Sequence, residues 1–280
     1  MKLVTWNIQW GRGMDGRVDL DRIVDTAKAL ADFDVLCLQE VADGFDDLEG
    51  CSGENQFAAL AARLPGFAAI EGVNVDLPRA GGGRKRFGNM LLSRLPVGRV
   101  LRHALPWEAD PATRSMPRGL LDVEVETRAG LVRVMTTHLE YFSPRLREAQ
   151  VAAIRDVARR NAQRAATPPV EATGTYASGQ GTPHCILTGD FNMRPEDPVR
   201  QHLTAPLASG GAGLTDAWIA LRPGIAHPAS FCISDQTYGP PHCCDFLLAS
   251  EGLLPRLQHI HYDTDTRASD HQPVLLELDG

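Results

Sequence analysis

The sequence predicts an α/β protein. Short continuous apolar runs recur along it, as expected of strands covered on both faces. Three segments instead carry apolar residues at helical spacing. Polar residues able to do chemistry fall repeatedly at the ends of the strand-like runs.

In chain order, strands are expected at 3–8, 35–39, 68–70, 89–93, 98–103, 120–126 and 132–138, and then at 185–188, 244–249, 257–261 and 273–278. A helix over 20–31 follows from the stripe Ile23, Ala27 and Leu30, and a second is expected over 56–64. The third, 144–163, opens on Ser143-Pro144, a sound helix start. Its Arg155/Arg159 and Arg160/Arg164 repeats read as a solvated face.

With 280 residues, 43% of them hydrophobic, the chain can bury a large core. The stretch "ATPPVEATGTYASGQGTP" has the composition of a flexible loop, at about 165–183. It is no domain boundary, because both halves supply polar strand-end residues, so residues 1–280 are read as one domain. "AGGGRKR", 80–86, reads as a second flexible loop, weighed between a solvated cluster and a phosphate clamp. Its glycines lack the spacing of a nucleotide-phosphate loop.

The net charge of −7 argues against a long basic track for nucleic acid. Arginine is the default cation, since lysine occurs only at Lys2, Lys28 and Lys85. The first residues read as a strand without a charged leader, and no apolar run approaches a membrane span. The cysteines form neither a CxxC pair nor an even framework, and are expected as reduced core thiols. Together these point to a cytoplasmic protein with no obligate protein partner. The absence of GxSxG removes the usual serine acyl hydrolase.

The polar strand ends carry the functional argument. "ILTGDFNMRPED" ends an apolar run in Gly189 and presents Asp190 and Asn192 two residues apart, which on an extended backbone share a side. A turn is the competing reading. "TWNIQ" ends a strand with Asn7, "LCLQEV" presents Glu40, and "TTHLEYF" ends a strand with His138. "CCDFLLAS" begins one with Asp245, and "SDHQPVLLEL" sets Asp270 and His271 before the last. Such groups beside buried strands are costly unless they satisfy one another or hold a cation. One shared cluster is the economical explanation. Its chemistry suits water attack on a phosphate ester: Glu40 and Asp270 to hold Mg²⁺ or Mn²⁺, Asp190 with Asn192 to handle the water, and His271, backed by Asp245, to donate to phosphate.

The ordered set TWN…QE…GNxLLSR…THL…GDFN…CDFLL…SDH resembles the endonuclease/exonuclease/phosphatase superfamily over essentially the whole chain. The resemblance implies a four-layer α-β-β-α sandwich, with two packed mixed β-sheets flanked by helices. It also implies a divalent-metal-dependent hydrolase of phosphate esters, most of all phosphodiesters, with nucleic acid among the substrates admitted. The alternatives are a phosphomonoesterase, a phospholipid or small-molecule phosphodiesterase, and a retired binding scaffold. By the same resemblance Asn7 and Glu40 match the first two site positions on the metal side, with Asp270 on or near the metal. Asp190, Asn192, Asp245 and His271 match the catalytic positions, and His138 a general-acid or phosphate-binding position. Asn89 and Arg118 are weaker candidates for substrate contacts, with a turn residue and a surface cation as their plain readings. Gln9 departs from the family's apurinic endonucleases, which carry an acidic residue there. His242, Cys243, Cys244, His259 and His261 are weighed as a soft-metal group, without a four-ligand spacing.

Overall fold

The computed structural model describes residues 1–279 except 168–169, 171–172, 178–180 and 207–212. Twelve strands are seen among them: β1 (Lys2–Asn7), β2 (Val35–Asp43), β3 (Ala68–Pro78), β4 (Arg84–Ser93), β5 (Val97–Ala104), β6 (Gly119–Thr127), β7 (Gly130–His138), β8 (Cys185–Asp190), β9 (Leu214–Asp216), β10 (Asp245–Ser250), β11 (Leu257–Tyr262) and β12 (Val274–Leu278). The α-helices are α1 (Leu20–Leu30), α2 (Gln56–Arg63), α3 (Pro144–Ala166), α4 (Pro198–Thr204) and α5 (Ala217–Leu221).

The strands form two six-stranded sheets, ordered β11-β12-β1-β2-β4-β3 and β5-β6-β7-β8-β10-β9. Each is mixed, with β1–β2 parallel in the first and β7–β8 parallel in the second. The pleat sorts the first sheet's side chains. Val4, Trp6, Leu36 and Leu38 join α1 and α2 residues such as Ile23, Ala27, Phe57 and Leu60 in an outer core. Leu3, Val35 and Cys37 face the other way, into the core shared with the second sheet and with Val151, Ile154 and Val157 of α3. Helix, sheet, sheet and helix therefore stack in four layers.

Helix starts follow local chemistry. Asp19, Asn55 and Ser143 accept from the backbone N–H groups of Arg22, Ala58 and Leu146 and so cap α1, α2 and α3. Three elements were not legible as periodic segments. They are β9, α4 and α5, none longer than seven residues.

Two expectations need correction. Arg84, Lys85 and Arg86 belong to strand β4, where they pair with Asp76, with Asp46 and Asp47, and with Asp43 and Glu71. Only 80–83 lie in the β3–β4 turn, and the cluster is neither a loop nor a free phosphate clamp. Arg155 is not on a solvated face: its guanidinium donates to the carbonyls of Ala205 at 2.7 Å and Pro206 at 3.1 Å, past the end of α4. The expected loop at about 165–183 lies partly outside the described residues. Its described parts are the end of α3 and a single turn at Gly174–Tyr176.

Candidate active site

The inner faces of the sheets become polar toward one end. Gln39 Nε2 donates across the gap to Thr136 Oγ1 at 3.0 Å. One step further, Asn7 Nδ2 on β1 donates to Asp190 Oδ2 on β8 at 3.0 Å and to Glu40 Oε1 at 3.1 Å. Register does the rest. Asp190 stands beside His138 in the parallel β7–β8 pair and opposite Asp245 in the antiparallel β8–β10 pair. Asp270 and His271 are tied to β1, because Ser269 Oγ donates to the Asn7 carbonyl at 2.8 Å and Trp6 Nε1 to the His271 carbonyl at 2.9 Å.

Glu40 reaches this cluster through a distortion that sequence pattern does not reveal. The β2–β4 register slips between Leu38 and Val41, and Glu40 has φ of 60°. Simple alternation would send Glu40 to the helix side with Leu38. The left-handed bulge turns it inward. Among the described residues five non-glycines have positive φ, and four of these, Gln9, Trp10, Glu40 and Asn192, line the same cavity. Strain gathered where side chains must be aimed is typical of functional sites.

The turn reading of Asp190-Asn192 holds, and the turn aims Asp190 into the cavity. Asn192 is not extended: at φ of 50° it lies beyond the strand end. Its backbone N–H donates to Asp190 Oδ1 at 2.9 Å and its side chain to the Leu139 carbonyl at 2.8 Å. The turn thus fixes one oxygen of Asp190 and leaves Oδ2 facing Asn7, His138 at 3.4 Å and His271 at 3.6 Å.

The far side of His271 is anchored. Its Nδ1 lies 2.9 Å from Asp245 Oδ2, which also accepts from Ser230 Oγ at 2.7 Å. Burial opposes a charge on His271, but Asp245 and Asp190 outweigh it and hold the imidazolium well above its ordinary range. Asp190 in turn stays below its usual range: burial pushes it up, and the His271 charge, His138 and the hydrogen bonds from Asn192 and Asn7 together more than offset that. His138 is driven down to about 3 by burial and then by the Arg118 guanidinium, so it is a neutral ring at pH 7.

Glu40, Asp190, Asp270, His138, His271, Asn192 and Arg118 line one cavity of about 430 Å³. Asn7 sits directly behind it. Its side-chain oxygen accepts the Gln9 backbone N–H at 3.1 Å, so its amide nitrogen, and not its oxygen, faces the carboxylates. Arg118 is no surface cation. It is 7% exposed, and its contact with protein is Glu140 Oε2, 3.6 Å from Nε. Asn89 is not a turn residue but a buried β4 residue in a small recess behind His138 and Arg118. Its Nδ2 donates to the Gly119 carbonyl at 3.3 Å, and its Oδ1 has no hydrogen-bond partner among the described residues.

The soft-metal group does not assemble. His242 is half-buried against Pro240 and Phe231, Cys243 points at Tyr262, and His259 and His261 stack on β11 in a separate groove with α1. Cys244 alone approaches the site. Its sulfur, an Asp190 oxygen and a His271 nitrogen lie within 4.8 Å of one another. Burial pushes the Cys244 thiol well up.

Sequence reasoning missed several neighbours. Glu140 follows His138 by two, the spacing of Asp190 and Asn192, and that repeat was the available signal. Gln9 Nε2 donates to Asp270 Oδ2 at 2.8 Å, and Phe231 stacks on the His271 ring at 4.4 Å. Neither Phe231 nor Ser230 sits in a patterned segment.

No helix among the described residues is long and apolar enough to cross a membrane. No curated protein matches the chain. Solved structures do. An endonuclease/exonuclease/phosphatase from Beutenbergia cavernae is 25% identical with a TM-score of 0.68, covering 100% of this chain and 72% of its own. A 3′ phosphatase from Neisseria bound to a product DNA hairpin is 23% identical, with a TM-score of 0.64 and 100% of both chains covered. A mannosyl-6-phosphatase from Bacteroides thetaiotaomicron is 16% identical, with a TM-score of 0.65 and again 100% of both covered. These neighbours share the two-sheet fold. The sequence profile of the endonuclease/exonuclease/phosphatase family matches residues 4–271, and the chain belongs to that family.

Proposed function

We propose that the protein is a divalent-metal-dependent phosphodiester hydrolase in which a water oriented by Asp190 attacks phosphorus. The observation that carries this reading is the row Asp190–His271–Asp245, set beside the carboxylates of Glu40 and Asp270 on one cavity.

The donor set suits a hard cation. Burial and then the neighbouring Asp270 push Glu40 up to about 7, and burial raises Asp270 as well. Two carboxylates held so uncomfortably are the groups a cation's field would relieve. Glu40 and Asp270 would hold Mg²⁺ or Mn²⁺, with Asn7 steadying Glu40. Bound there, the ion would supply Lewis-acid polarisation and charge neutralisation. The alternative trio of Asp190, Cys244 and His271 suits such an ion poorly, because its thiol keeps its proton and its imidazole is charged.

The chain's own residues then divide the work. Asp190 accepts a hydrogen bond from the attacking water, with Asn192 and Asn7 fixing its orientation. His271, charged and braced by Asp245, donates to a nonbridging oxygen as negative charge accumulates. His138, neutral, donates from its ring N–H to phosphate. Arg118 offers a buried guanidinium on the cavity wall, with Glu140 Oε2 3.6 Å from its Nε. With Arg84, Lys85 and Arg86 committed to carboxylates, the cavity is better matched to a singly charged diester than to a dianionic monoester.

Hydrolysis of bis(4-nitrophenyl) phosphate should require Mg²⁺ or Mn²⁺ and stop with EDTA. Asp190→Asn and His271→Gln should each lower kcat at least a hundredfold, and full activity in either variant would refute that residue's role.

A further inference from the structure

Beyond the phosphate-facing groups, the cavity has a second character. Tyr141, Phe142 and Tyr238 are exposed large rings, and all three line this cavity. Tyr141 and Phe142 lie three and four residues past the end of β7, and Tyr238 comes from the segment that begins at Phe231. Their rings form an unbroken wall. His271 and Phe231 stack at 4.4 Å, and Phe231 and Tyr238 at 6.1 Å. Tyr238 meets Tyr141 at 6.2 Å and Tyr141 meets Phe142 at 4.8 Å, both edge to face. The Arg114 guanidinium closes the row 4.2 Å over the Phe142 ring.

Exposed rings gathered in one place mark a binding surface, since water is a poor partner for them. The remaining chemistry narrows the occupant. Among the described residues, Arg114 and Arg118 are the lysines or arginines lining the cavity. Basic residues elsewhere near β3 and β4 are paired with carboxylates. Among the described residues a long polyanion would find no track of free cations lining this cavity. A volume of about 430 Å³ suits one small molecule.

We propose that this wall is a subsite for a flat ring, so that the substrate is a small phosphate ester whose alcohol carries an aromatic or heteroaromatic group close to phosphorus. The inference rests on the phosphoesterase reading and deepens it. The phosphate meets Arg118 and His271, and the ring lies against Tyr141 and Tyr238, with the Arg114–Phe142 pair as its outer edge.

Calorimetry on the full chain with Mg²⁺ tests it, using the singly charged monomethyl esters of benzylphosphonate and cyclohexylmethylphosphonate. The two share charge, linker and ring size and differ in flatness. The benzyl compound should bind about tenfold more tightly, in line with aromatic stacking elsewhere. In Tyr141→Leu/Tyr238→Leu that ratio should fall to about one, whereas Tyr176→Leu, at an exposed ring outside the cavity, should keep it. Equal affinities in the wild type, or a preference that survives the double substitution, overturn the subsite. Alongside the benzyl preference, a tenfold preference for the methyl ester of thymidine 5′-phosphate over that of ribose 5-phosphate supports it with a nucleobase as the ring. The benzyl preference without that one supports it with an aryl ring. Failure of the phosphoesterase reading looks different: neither phosphonate ester binds, and bis(4-nitrophenyl) phosphate is not hydrolysed with Mg²⁺ or Mn²⁺.

Discussion

His271 Nδ1 lies 2.9 Å from Asp245 Oδ2, and Asp245 is wholly buried behind it. The carboxylate therefore serves the histidine and not the solvent. It holds the ring's orientation and sustains its charge, leaving Nε2 to face Asp190 and the cavity.

Asp245→Asn should keep the geometry and remove the charge. The folded-state pKa of His271 is raised, so activity that needs the imidazolium is present at low pH and lost as pH rises through that value. Without Asp245 the loss should begin at lower pH. The kcat/KM profile should show its alkaline limb displaced downward by at least one unit, with a larger deficit at pH 8 than at pH 6. An unmoved limb would mean that His271 acts uncharged.

Glu40 should couple metal affinity to pH. Its pKa is pushed up to about 7, so below that value the ion must displace a proton to bind. Mg²⁺ affinity measured by calorimetry should weaken about tenfold per unit below pH 7 and level off above it. The same shift makes charged Glu40 a stability cost that is absent below its unfolded value near 4.5 and fully present above about 7. Glu40→Gln should therefore raise metal-free stability by about 2 kcal/mol at pH 8 and by little at pH 4.5, as read by chemical denaturation. Equal stabilities at pH 8 would contradict the burial argument.

Much of this architecture was legible because buried strands write themselves as continuous apolar runs, and the polar groups that end them stand out. The bulge at Glu40 was not legible, since nothing in "LCLQEV" signals a left-handed residue; only the chemistry of a lone glutamate after such a run pointed to it. The fate of Arg84–Arg86 was also hidden. Composition shows three cations, while their partners come from β2 and β3 (Asp43, Glu71 and Asp76) and from the segment after β2 (Asp46 and Asp47). The four-layer stacking is a long-range property that the family resemblance implied and local pattern did not. Short elements such as α5 span too little chain to show a period.

Arg118 and Glu140 should behave as one unit. Arg118→Met leaves the Glu140 carboxylate buried at 1% exposure without its cation, which should cost about 3 kcal/mol of stability. Adding Glu140→Gln should return most of it, because the orphaned charge is gone. KM for a diester should stay raised at least tenfold in both variants if the guanidinium meets phosphate. Recovery of KM in the double variant would reduce Arg118 to a structural counter-ion.

Gly189 is the position where backbone geometry and chemistry meet. Its φ of 134° lies where side-chain-bearing residues are strained, and a Cβ there would sit 1.9 Å from the Thr137 carbonyl oxygen on β7. That atom is backbone and cannot swing aside, so Gly189→Ala must separate β7 from β8 next to the Asp190–His138 pair. The substitution should destabilise the fold by about 3 kcal/mol or more and cost at least a hundredfold in kcat, even at temperatures where the variant is folded by circular dichroism. Gly130→Ala, at the first residue of β7 with φ of 106° and open space around it, is the control. It carries comparable backbone strain without the steric clash and lies at the opposite end of β7 from His138, so it should lower stability but leave kcat unchanged. If Gly189→Ala lost no more activity than Gly130→Ala, the close approach of β7 and β8 would not be what positions Asp190.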